Sequence, residues 1–71
     1  MRYALSAGPG DVGHRVVLRR RVPGGLSDVL GHVESWSGGT VAVRDRHGRL
    51  VEIAEDDLVA AKRVPEPPAR R

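Results

Sequence analysis

The chain has 71 residues, no cysteine and a net charge of +3, with a pI near 10.6. That length holds one small, marginally stable domain, and the missing cysteine excludes disulfides, thiolate metal sites and a cysteine nucleophile. No run approaches the roughly 18 apolar residues of a membrane span. The first fifteen residues lack the apolar stretch of a signal peptide, so a cytoplasmic protein without a membrane partner is expected.

The basicity is milder than the pI suggests. Between Gly13 and Val64 there are nine Lys or Arg residues against seven Asp or Glu, and arginine outnumbers lysine eleven to one. An Arg, Ala, Val and Gly bias of this kind follows from a GC-rich genome as readily as from a phosphate partner.

In chain order, residues 1–13 mix Gly, Pro, Ser and Asp with few apolar side chains and read as a flexible leader. The run 15–22 is β-branched and Arg-rich, and stops at Pro23-Gly24-Gly25. The run 28–36 stops at Ser37-Gly38-Gly39, and 40–45 stops at His47-Gly48. Residues 49–53 follow, then the acidic 54–57, then 58–64. Short strands punctuated by Gly-containing turns predict a small barrel or sandwich. The acidic segment suits a 3₁₀ turn before the last strand. Residues 65–71 hold three prolines, which remove backbone donors and fix φ, so they read as a Pro-rich linker or tail. The fold expected is all-β: a five-stranded SH3-like barrel over residues 14–64.

Period-two alternation assigns the faces. Val16, Leu18 and Val22 face one way, with Arg19 and Arg21 opposite. Val29, Gly31 and Val33 share a face, while Leu30, His32, Glu34 and Trp36 share the other. Val41 and Val43 oppose Ala42 and Arg44, and Val51 and Ile53 oppose Leu50 and Glu52. Gly31 in mid-strand predicts a bend or bulge.

No constellation carries chemistry. His14, His32 and His47 lack metal-ligand spacing. Ser27, Ser35 and Ser37 have no base placed to activate them. No helix follows Gly24-Gly25 or Gly38-Gly39, so neither pair is a phosphate loop. The expectation is therefore no catalytic residue, no metal and no cofactor in this chain. The candidate interaction surface is Arg19, Arg21, Trp36, Arg44 and Arg46. An outward stripe of Arg19, Arg21 and Arg44 could follow a nucleic-acid backbone, or pair across strands with Glu34, Asp45 and Glu52. One Trp, one leader Tyr and no Phe cannot build a methyl-lysine cage or a proline-peptide groove.

Several strings resemble the N-terminal module of actinobacterial GNAT acetyltransferases. They are GHRVVLRRRVPGG over 13–25, SDVLG over 27–31, Ser35-Trp36, Val43 with its hairpin, and DLVAAK over 57–62 leading into prolines. Arg20 stands where that family leads one to expect an aromatic. The resemblance implies an SH3-like barrel with a long first loop, placed before a proline-rich linker and a catalytic domain that would hold acetyl-CoA. It implies an accessory role through protein partners: the catalytic domain, a second copy or a protein substrate. The alternative is a free-standing basic barrel that binds nucleic acid.

Overall fold

Val16 and Leu18 have no exposed surface, while their neighbour Arg19 stands in solvent. That alternation makes residues Arg15–Val22 a strand with one apolar face, β1. The computed structural model describes residues 6–66, and all their regular structure is β apart from two short 3₁₀ turns. The further strands are β2 (Gly25–Ser37), β3 (Thr40–Asp45), β4 (Leu50–Ala54) and β5 (Leu58–Arg63). They form one antiparallel sheet in the order β4-β3-β2-β1-β5. The fold is the small, barrel-like, all-β domain the punctuation predicts. One 3₁₀ turn, Glu55–Asp57, precedes β5 as expected, and another spans Pro9–Asp11.

The first loop is shorter than the resemblance implies. Val22 pairs with Gly25, which leaves a two-residue turn of Pro23 and Gly24. Gly24 takes φ +87, a left-handed conformation that a side chain resists. β2 therefore begins three residues before the predicted run.

β2 is the long strand that curls the sheet. Residues 25–32 pair with β1, and residues 31–37 pair with β3. Gly31 sits at the handover, as its place in mid-strand suggests. A Cβ there would collide with the Arg44 carbonyl oxygen and lie 2.8 Å from Val43 Cγ1. Only a bare backbone lets β2 and β3 approach so closely.

The bulge itself falls three residues later. Val33 pairs with Val43 but Ser35 pairs with Ala42, so Glu34 is an extra residue in β2. One added residue inverts every later facing. Trp36, expected beside His32 and Glu34 on the outer face, turns inward instead and is 6% exposed. A second register shift lies where Arg19 pairs with Ala60 and Arg20 with Leu58, which leaves Val59 extra in β5. Both Leu58 and Val59 are consequently buried.

Val16, Leu18, Val33, Val41, Val43 and Ile53 form the centre of the core, with Trp36, Val29, Leu58 and Ala61 around them. Ala7 joins this cluster, although it lies in the stretch read as a leader. Backbone bonds secure that stretch. Ser6 N–H donates to the Ala61 carbonyl at 2.8 Å, and Gly13 N–H donates to the Val33 carbonyl at 2.8 Å. Residues 6–13 are thus part of the packed domain. The remainder of the leader, 1–5, and the tail residues 67–71 lie outside the described residues.

Candidate interaction surface

The β1–β2 register puts Arg19 opposite Asp28. The guanidinium takes the carboxylate with both Nε and Nη2, at 2.8 and 3.1 Å. Arg44 on β3 does the same with Glu34 on β2, at 2.8 and 3.1 Å. Arg44 Nη1 also donates to the Gly48 carbonyl, tying the strand to its hairpin loop. These side-on, bidentate pairs are specific in geometry, though each is about half-exposed. The hydrogen bonds from Arg19 hold the Asp28 carboxyl below its ordinary value, and those from Arg44 lower Glu34. The two arginines are raised in return, chiefly by the same hydrogen bonds.

The remaining candidates lie apart. Arg21 is exposed and donates from Nη2 to the Asp56 carbonyl at 3.0 Å, which anchors the 3₁₀ turn. Arg46 is exposed in the β3–β4 loop and has no ion pair among the described residues. Trp36 is not on the surface. Its indole N–H donates to the Glu55 carboxylate, so the ring shuts one end of the core.

The outward stripe does not assemble. Arg44 aligns across the sheet with His32 and, through it, with Arg15. Arg19 lies four residues further along β1, about 13 Å away at strand spacing. Of the acidic partners expected for the arginines, Glu34 takes one. Asp45 instead caps its own loop, its Oδ1 accepting from the His47 and Arg49 N–H groups at 2.8 and 2.9 Å. Those bonds, that from Arg49 foremost, hold its carboxyl low.

Two features escaped the sequence reading. Arg20 shares the inward parity of Val16 and Leu18 and lines a groove of about 460 Å³ with Ser27, Val29, Arg46 and His47. At the other end of β1, residues 64–66 continue the path of β5 alongside it. Val64 N–H donates to the Arg15 carbonyl, the Arg15 Nη1 donates to the Pro65 carbonyl, and Glu66 pairs with His32 at 2.8 Å. Among the described residues no three His, Asp or Glu side chains converge as metal ligands, and no helix is long and apolar enough to cross a membrane.

No curated protein and no solved structure matches the sequence. A family model does: that of the Rv0428c N-terminal Sm-like domain, over residues 9–62. The match begins at the first 3₁₀ turn and runs to the penultimate residue of β5, so it takes in residues 9–13 of the ordered leader and nearly the whole sheet. The chain belongs to the Rv0428c N-terminal Sm-like domain family.

Proposed function

We propose that this barrel is a non-catalytic docking module, the accessory domain of a GNAT acetyltransferase. It packs against the catalytic domain, pairs with a second copy or seats a protein substrate. The observation that carries a protein partner over a nucleic acid is the placement of Trp36. It is the one aromatic among the described residues, and it is buried. Single-stranded nucleic acid binding draws much of its affinity from bases stacked on exposed rings. Arg19 and Arg44, two of the charges a phosphate backbone would need, already hold carboxylates. The attachment to an acetyltransferase rests on the sequence resemblance, and acetyl-CoA would belong to the attached domain.

Reading the gene beyond Arg71 for an acetyl-CoA-binding fold tests the attachment. Expressing such a domain separately and mixing it with this barrel tests the docking. Co-elution on size exclusion, or a changed turnover of a protein substrate, is the expected result. Oligonucleotide titrations at low and high salt address the alternative. A micromolar or tighter, salt-steep affinity that Arg19→Glu and Arg21→Glu abolish would replace the docking reading.

A further inference from the structure

Three basic side chains lie in one row across the outer face of the sheet. The registers set Arg15 of β1 opposite His32 of β2, and His32 opposite Arg44 of β3. The sheet supplies the row with one carboxylate, Glu34, and Arg44 holds it with two hydrogen bonds. Arg15 has no ion pair among the described residues. The carboxylate at the Arg15–His32 end of the row comes from beyond the sheet, and it is Glu66.

Each of the three residues after β5 is fastened to this end of the row. Val64 N–H donates to the Arg15 carbonyl at 2.9 Å and extends the ladder between β5 and β1. The Arg15 Nη1 donates to the Pro65 carbonyl at 2.8 Å. His32 Nε2 meets the two Glu66 carboxylate oxygens at 2.8 and 3.1 Å. An exposed contact of this kind is weak alone. Here, however, consecutive bonds act on one short segment, and Pro65 has its φ fixed by its ring, so ordering that segment costs less chain entropy. Pro65 and Glu66, which the sequence marks as the start of a linker, are therefore part of the folded domain.

We propose that Arg15 and His32 form a clasp for the segment that follows β5, so that the chain leaves the barrel with Glu66 fixed on β2 rather than free after Arg63. Anything joined through this segment then starts from a set place beside the outer face of the sheet. A proline-rich linker transmits such a placement better than a flexible one. The clasp consists of contacts within this chain and does not depend on the nature of an attached domain.

The test is ¹⁵N relaxation of the full labelled chain, read at the Val64 and Glu66 amides. In the parent both are expected to show the heteronuclear NOE of the β5 strand amides. His32→Glu sets like charges against each other at the clasp, and Glu66→Lys does the same against Arg15. Each should lower the NOE at position 66, by shifting the ratio of clasped to released segment about twofold to fivefold. The double variant His32→Glu with Glu66→Lys reverses the pair and should recover most of the loss, which mere damage to the fold cannot do. Added salt should loosen the parent in the same sense. A Glu66 amide as loose as a free chain end in the parent overturns the proposal. So does an unchanged Glu66 in the folded His32→Glu variant, or a double variant no tighter than the two single ones. If Glu66 is loose while the barrel still co-elutes with an acetyltransferase domain, the clasp falls and the docking reading stands. If Glu66 is ordered and the barrel does not co-elute, the clasp stands and the docking reading falls.

Discussion

The Trp36 indole N–H donates to the Glu55 carboxylate, joining the end of β2 to the 3₁₀ turn that leads into β5. A second bond runs parallel, from the Glu55 N–H to the Gly39 carbonyl at 2.8 Å. The two elements are nineteen residues apart in the sequence, and this contact fixes the entry of β5 onto β1. The indole is buried, so its N–H has no easy alternative acceptor. Glu55→Ala should therefore cost about 1–3 kcal/mol, the penalty of leaving a buried donor unpaired. Glu55→Gln, which keeps an acceptor oxygen, should cost less. Urea unfolding followed by the fluorescence of the single Trp measures both, and equal costs for the two variants would refute the bond's role.

Gly31 makes a sharper prediction. A methyl at this position meets backbone, the Arg44 carbonyl, which cannot rotate away as a side chain can. Gly31→Ala should destabilise by about 1–3 kcal/mol or more through forced separation of β2 and β3. Gly8→Ala is the control, since that glycine has extended backbone and open space around it. Thermal unfolding of the two variants should differ plainly, and equal melting temperatures would argue against the close approach.

The segment read as a leader is also open to test. Ala7 is 6% exposed within the core cluster, and Asp11 both caps its own turn through the Gly8 N–H and faces Arg63. Ala7→Asn would bury an amide without partners and should cost about 1–3 kcal/mol. In a leader that does not pack, the same change would be silent.

The core offers the plainest check of the strand faces. Val33 and Ile53 are 1% and 2% exposed. Val33→Ala or Ile53→Ala should cost on the order of 1–4 kcal/mol by leaving a cavity. Denaturant midpoints unchanged from the parent would contradict the packing described.

Most of the strand faces were legible because each depended on local alternation alone. Val16 with Leu18, Val41 with Val43, and Val51 with Ile53 all face the core as read. Trp36 was not legible, because a bulge at Glu34 inverts the alternation and nothing in Glu34-Ser35 announces it. Ala7 escaped for a different reason: a small residue among Gly, Pro and Ser carries no periodic signal. The Arg19–Asp28 pair follows from counting back along both strands from a two-residue turn, but only once the turn is known to be two residues long. Arg20 is the instructive case at the groove. It shares the parity of Val16 and Leu18, yet it is only half-buried and borders a groove with Ser27 and Val29.

The surface pairs predict how stability responds to acid. Asp28 and Glu34 are held low mainly by hydrogen bonds from Arg19 and Arg44, and Asp45 mainly by the Arg49 N–H. In the unfolded state these carboxyls return to their ordinary values near 4. Around that pH the unfolded state binds more protons than the folded one, so stability rises with pH there. The contribution is complete above the ordinary carboxylate range and is lost as pH falls through the lowered values. Unfolding midpoints should be level above about pH 5 and decline below about pH 4. The pairs are exposed, so added salt should weaken the effect. Arg19→Gln and Arg44→Gln together should make the acid decline shallower, while the Asp45 loop bonds retain part of it. A double variant whose acid profile overlays that of the parent would show that the two bidentate pairs do not set the carboxyl protonation, and would leave Asp45 as the group responsible.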